Sequence, residues 1–230
     1  MNSWVDFWNG EHSIYVNEKH KLAHSRKVFN DINKWLSDET CSVMDYGCGE
    51  ALYAEELQHH CKNLVLVDAS ENIVGKLRSR TIGQKSVQIL HISECDQIKD
   101  NTFDLIIVNS VFQYLNGSET KDVLLFFRRI LKKNGKLVIE DIITPNHPIL
   151  KDVISLLKFA LINRFLLVSL IGLFKTYFSE YTHLRKNLGL SFYAPQNFIE
   201  MLSNRGFRAR LESENFGHNQ NRFCFTAEKI

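Results

Sequence analysis

Proline is scarce in this chain, three residues in 230, and no stretch is rich in serine and glycine. Such a composition leaves no room for a flexible interdomain linker and argues against a disordered interior segment. Cysteine is limited to Cys41, Cys48, Cys61, Cys95 and Cys224. The number is odd and no Cys-x-x-Cys pair occurs. A disulfide framework and a metal centre are therefore not expected, and the residues read as reduced thiols of a cytoplasmic protein. Charge of one sign is also lacking. The net charge is +2 without a long basic run, a weak electrostatic footprint for nucleic acid, and no such partner is expected. Met1–Gly10 holds Trp4, Phe7 and Trp8 but no apolar run behind basic residues, so it is not read as a signal peptide. Long apolar runs are missing too. The most apolar stretch, Ile149–Phe178, is interrupted by Lys151, Lys158, Arg164 and Lys175. Its charge-free run, Phe165–Phe174, is about half the roughly 20 residues that cross a bilayer. Buried or interfacial helices are expected there, with no transmembrane segment and with peripheral membrane contact left open.

What is present is enough apolar material, 44% of residues, to fill the core of one α/β domain spanning 1–230. Glu18–Leu36 has helical spacing, and Cys41–Tyr46 is a short apolar run that ends in glycines. Further short strands are predicted at Asn63–Val67, Ser86–Ile92, Thr102–Val108 and Lys136–Ile142. Helices are predicted at Ala51–His60, Glu71–Arg80 and Ser118–Lys132, the last with Ser118 as cap and with a turn following at Asn134-Gly135. Apolar strands alternating with helices indicate a parallel sheet covered on both faces. The alternation breaks at 149–192, read as a helical insertion. It resumes with a helix from Pro195 and a closing strand pair, Gly206–Glu212 and Asn221–Glu228. The sum is a doubly wound, mainly parallel, seven-stranded sheet. Residues 1–40 form an amino-terminal helical arm or lid, and 149–192 form a cap.

Open sheets of this kind bind ligands beyond the carboxyl ends of their strands. The first strand ends in Asp45-Tyr46-Gly47-Cys48-Gly49, a sharp turn that lets a ligand approach the backbone. The third glycine of a dinucleotide fingerprint would fall at Leu52, and Asp45 would repel a pyrophosphate while suiting the ammonium of a methionine group. Asp68 ends the second strand, 21 residues beyond Gly47, where a carboxylate accepts hydrogen bonds from ribose hydroxyls. The competing reading makes Asp68 the cap of the next helix.

With these residues the chain resembles the class I S-adenosylmethionine-dependent methyltransferases of the small-molecule branch, over roughly Ser42–Ile142 and again in the 195–228 ending. The resemblance implies a Rossmann-like methyltransferase fold with S-adenosylmethionine as cofactor. It implies that Asp45, Tyr46, Gly47, Cys48 and Gly49 line the methionine part, that Asp68 and Ala69 hold the ribose, and that Ile92, Ser93 and Glu94 pass the adenine. Asn109, Ser110 and Phe112 would run beside the reactive sulfur. Two positions depart from the family pattern. Ala51 stands where a third glycine is frequent. Ile92 stands where many members have an acid that reads the adenine amino group, so backbone groups or Glu94 take that task. Asn109-Ser110-Val111-Phe112 also lacks the two prolines of enzymes that methylate exocyclic base amines, which argues against a nucleic-acid acceptor.

The implied reaction is in-line transfer of a methyl group to a small-molecule, partly apolar acceptor. A general base is needed only if the acceptor keeps its proton at neutral pH. His183, Asp141 and Tyr193 are the candidates, with Glu140, His147 and Tyr181 nearby in sequence. His20 and His24 lie four apart and share a helix face, with no further ligand at metal spacing. Two other readings stand beside this one: a binding protein with the fold but without turnover, and an NAD-dependent oxidoreductase, which Leu52 and Asp45 disfavour.

Overall fold

The computed structural model describes residues 3–10, 15–36, 41–81, 86–177 and 180–230, and the side chains of these except 174–183. The chain opens with α1 (Trp4–Asn9) and α2 (Glu18–Asn33). It then alternates through β1 (Ser42–Tyr46), α3 (Ala54–Leu57), β2 (Asn63–Asp68), α4 (Glu71–Arg80), β3 (Val87–His91) and β4 (Phe103–Asn109). After α5 (Gly117–Ile130) and β5 (Leu131–Ile142) come α6 (Ile149–Ile162), α7 (Leu166–Tyr177) and α8 (Glu180–Leu188), then α9 (Pro195–Ser203), β6 (Phe207–Leu211) and β7 (Phe223–Lys229). The seven strands form one sheet in the order β3-β2-β1-β4-β5-β7-β6. The first five run parallel, and β7 enters antiparallel between β5 and β6. The direction of winding reverses between β1 and β4, so a crevice opens at their carboxyl ends.

Side chains alternate across the sheet and build two cores. Met44, Tyr46, Val65, Val67, Ile106, Val108, Leu137 and Ile139 pack with α5 and α9. Val43, Leu64, Leu66, Leu105, Ile107 and Val138 pack with α2, α3 and α4. Every residue of β1 is buried, which is why its sequence shows no polar alternation. All five cysteines are buried.

Three local features differ from the sequence reading. The cap of α5 is Asn116, not Ser118. The Asn116 side chain accepts from Ser118 N and Glu119 N, and Glu119 returns a bond to the Asn116 amide. This reciprocal box satisfies more of the orphan amides than Ser118 alone would. Second, β5 begins at Leu131, and the expected Asn134-Gly135 turn is absorbed as an irregularity in its pairing with β4. Third, the helix expected over Ala51–His60 contracts to α3 and a 3-10 turn, Gln58–His60.

Candidate functional site

The β1 loop is held by its neighbours. Gly47 N and Cys48 N both donate to Val67 O, at 2.8 and 3.1 Å, which folds the loop over the end of β2. Gly47 has φ +76°, and a Cβ there would overlap the Val111 side chain, so the turn needs both the conformation and the small size. Gly49, at φ +56°, has nothing within 4 Å of the place a Cβ would take. The loop is thus packed on one side and open on the other.

Two carboxylates flank it. Asp68 Oδ2 accepts from Gly49 N at 2.9 Å and Oδ1 from Ser70 N at 2.9 Å. Burial raises its pKa, and these amides oppose the shift. Ser70, not Asp68, caps α4, through its bond from Ile73 N. The carboxylate keeps acceptor capacity for a ligand, since two oxygens offer about four lone-pair sites. Asp45 is buried and accepts a hydrogen bond from the Tyr53 hydroxyl. Burial pushes its pKa up to about 7; the Tyr53 bond acts against this, and the charge of Asp68 adds to it. Tyr46 and Cys48 face away into the cores, Tyr46 edge-on to Phe127.

Past β3, Glu94 is engaged elsewhere. It binds Arg78 at 2.6 Å and the His91 amide at 2.6 Å, capping its own 3-10 turn. Ile92 is exposed and gives this side of the crevice an apolar face. His91 bridges Ala69 O at 3.1 Å and Ser93 Oγ at 2.8 Å, tying the β2 and β3 ends together. Past β4, Ser110 donates to Asp141 Oδ2 at 2.7 Å and to Asn109 Oδ1 at 3.1 Å. Ser110 and Asp141 both have φ 59°, a conformation that is strained for non-glycine residues and that clusters at functional sites. Phe112 is a core residue, packed on Phe198.

The helix α1 crosses this crevice. Trp8 O accepts from Ser70 Oγ and Asn9 O from Asn72, both beyond β2. Trp4 and Trp8 pack on Tyr114, beyond β4, with ring centroids 4.8 and 5.7 Å apart. Since β1 lies between β2 and β4, the arm spans the glycine loop.

The base candidates fare unequally. Asp141 is half-buried, held by Ser110 and 3.6 Å from Arg222, which also pairs with Asp152 at 2.6 Å. Tyr193 is spent on Thr120 and Phe112 O, bracing α9 against the β4 end. His147 binds Asp152. The side chains of Tyr181 and His183 lie outside the described residues.

The structure instead assembles a set that spacing did not show. His20 and His24 of α2 meet His218 of the β6–β7 loop, with centroids 6.1–6.4 Å apart. Tyr15 packs on both α2 rings, Phe165 stacks on His20 and Phe159 on His218. Burial lowers all three histidines to about 4, so they are neutral. His24 Nδ1 and His218 Nδ1 are buried without partners, as are both oxygens of fully buried Glu140. Burial pushes the Glu140 carboxyl well above the usual carboxylate range, and the Phe216 amide opposes that shift. Among the described residues no group of three or more such side chains is arranged to hold a metal. Tyr15 packs on His20 and His24 and acts electrostatically on Tyr53, the partner of Asp45, so this cluster adjoins the Asp45 end of the loop. The pairing of His20 and His24 was legible as a four-residue spacing; nothing in the sequence marked His218.

Residues 44–139 match the methyltransferase domain family. A demethylmenaquinone methyltransferase of Thermotoga maritima is 33% identical over 113 residues, 49% of this chain and 46% of that protein. The chain spans about half the length of the curated relatives it matches. Among solved structures, a Haloferax volcanii methyltransferase in complex with its Trm112 activator superposes with a TM-score of 0.63 at 13% identity, covering 100% of this chain and 99% of that one. The magnesium protoporphyrin IX methyltransferase of Synechocystis, with S-adenosylhomocysteine bound, gives 0.59 at 14% identity, covering 98% and 92%. The sheet order, the β1 loop and the family match agree: residues 44–139 are similar to methyltransferase domains, and the chain shares the fold of the superposed methyltransferases.

Proposed function

We propose that the chain binds S-adenosylmethionine across the β1 loop and transfers its methyl group to a small, partly apolar acceptor. The observation that carries this reading is the loop itself: two carboxylates at its ends and open space over Gly49. When bound, S-adenosylmethionine supplies an electrophilic methyl group. Asp45 would take its ammonium, Asp68 its ribose hydroxyls, and Ile92 with the Ser93 backbone its adenine. The helix α1, over the crevice, would act as a lid that excludes water. Asn109 and Ser110 would line the floor beside the sulfur of S-adenosylmethionine.

The acceptor would sit where Glu140, His24 and His218 leave polar atoms unmatched. Each buried group of this kind costs about 1–3 kcal/mol unless a ligand or water meets it. Phe159 and Phe165, inner residues of the 149–192 cap, supply the apolar wall. The methyl carbon would pass to the acceptor's lone pair, and the carbon–sulfur electron pair would stay on sulfur. Neutral His24 or His218 would take the acceptor's proton, and Glu140 would share a hydrogen bond with the acceptor. Orientation supplies most of the rate, on the order of 7–11 kcal/mol in favourable cases. An odd number of cysteines with no Cys-x-x-Cys pair supports a cytoplasmic site of action. The quinone-type acceptor named for the Thermotoga maritima relative accords with an apolar substrate.

Calorimetry with S-adenosylhomocysteine and NAD tests the cofactor assignment. The wild type is expected to bind the first and not the second, and Asp68→Ala to lose about 1–3 kcal/mol of that affinity. Unchanged affinity in the variant would remove Asp68 from the site. The acceptor is sought by mass spectrometry of cells with and without the gene, as compound pairs differing by one methyl group. Tight cofactor binding without any such pair would favour a non-catalytic binding protein.

A further inference from the structure

We infer that the outer face of the α6–α7 hairpin docks on an anionic lipid bilayer and lies in its interface. Exposed large apolar residues are concentrated there. Nine of the seventeen among the described residues fall between 149 and 171, a tenth of the chain. Leu161, Ile162 and Leu167 are the extreme cases, at 64, 78 and 77% exposure. On α6 the exposed positions Leu150, Ile154, Lys158 and Leu161 recur at helical spacing and form one stripe. The opposite side of the helix is committed inward: Ser155 donates to His218 O and Phe159 stacks on the His218 ring. The hairpin therefore has one face on the protein and one face bare. Exposed apolar side chains concentrated in one segment in this way mark a contact surface.

Charge decides what covers it. Residues 149–188 contain six basic and two acidic side chains, whereas the rest of the chain has 22 basic and 24 acidic. One of the two acids, Asp152, is already paired with Arg222. Lys151, Lys158 and Arg164 are exposed beside the apolar stripe and form no ion pair among the described residues. A second copy of the chain would set this basic margin against an identical one. An anionic lipid surface neutralises it, with each basic residue near the surface contributing a few-fold to binding. The helices do not cross the bilayer. α6 has 14 residues and α7 has 12, against the roughly 20 that span it, and no described helix is long and apolar enough. Apolar side chains facing the acyl boundary with Lys and Arg at the headgroups is the arrangement of interfacial helices. The assignment rests on the hairpin alone and stands whether or not the acceptor is itself lipid-borne.

The test is co-sedimentation of the full chain with vesicles of phosphatidylcholine alone or with about one-third phosphatidylglycerol. At least about tenfold more protein is expected on the anionic vesicles, falling steeply as salt is raised. Leu161→Glu/Leu167→Glu is expected to lower that binding about tenfold or more with unchanged affinity for S-adenosylhomocysteine, which reports an intact fold. Lys158→Glu/Arg164→Glu should remove the preference for anionic lipid. Equal binding to both vesicle types, or unchanged binding in the Leu161→Glu/Leu167→Glu variant, would overturn the proposal. So would a lipid-independent dimer, seen by light scattering, that dissolves in that variant while vesicles bind no protein.

Discussion

Replacing Gly47 and Gly49 by alanine, one at a time, separates the packed side of the β1 loop from its open side. Both residues have positive φ, +76° and +56°, so each alanine carries a conformational cost of about 1–2 kcal/mol. At Gly47 the new methyl also overlaps the Val111 side chain, and overpacking adds about 1–3 kcal/mol. Gly47→Ala should therefore lose about 2–5 kcal/mol of stability in urea unfolding. Adding Val111→Ala should restore the overpacking share and leave the conformational one. Gly49→Ala meets no atom, so it should lose only about 1–2 kcal/mol. Its methyl nevertheless enters the space assigned to the ligand, and calorimetry should show S-adenosylhomocysteine bound at least about tenfold more weakly, a loss of about 1.4 kcal/mol. Equal destabilisation by the two variants would refute the packing account. Wild-type ligand affinity in Gly49→Ala would show that the ligand does not lie over this loop.

Two pH effects follow from buried groups. Asp45 is raised in the folded state to about 7 from 3.8, so the native protein holds a proton that the unfolded chain has released between those values. Stability should fall as pH rises from about 4 to 7, by up to about 4 kcal/mol relative to Asp45→Asn, and stay level above; a pH-independent difference between the two proteins in urea would contradict this. S-Adenosylhomocysteine should also bind the wild type more weakly at pH 6 than at pH 8, because its ammonium needs the charged carboxylate, and Asp45→Asn should lose that trend. The histidines act in the opposite sense. Folded values of about 4 against 6.5 mean that acid protonates the unfolded chain first, so stability is lost as pH falls from about 6.5 to 4. His24→Phe/His218→Phe, which removes two unpartnered ring nitrogens, should fold at neutral pH and resist acid better than the wild type in a thermal melt at pH 5.

The parallel sheet was legible because its strands are buried on both faces and interrupted at regular intervals by helical patterns. Asp45, Gly47, Gly49 and Asp68 were legible because a strand end, a turn and a helix start occupy adjacent positions in the chain. What escaped depends on distant residues. The Asn116 cap was hidden by a nearer serine, and only the returning Glu119 bond distinguishes them. Glu94 reads as a free acid until Arg78, sixteen residues earlier, is seen beside it. Asp141 and Tyr193 read as reactive groups, yet Ser110 with Arg222 and Thr120 with Phe112 O engage them. His218 lies in a loop with no periodicity, and only the antiparallel return of β7 carries that loop to α2.

The arm over the crevice touches the protein on both banks, at Ser70 and Asn72 on one and at Tyr114 on the other. On the proposed reading, a ligand leaving the glycine loop and an acceptor arriving beside it would both pass the same six-residue helix. Release and entry would then share one door, with the Trp4–Tyr114 and Ser70–Trp8 contacts as its latch. The opening rate of that helix would set an upper bound on turnover, however fast the chemistry beneath it.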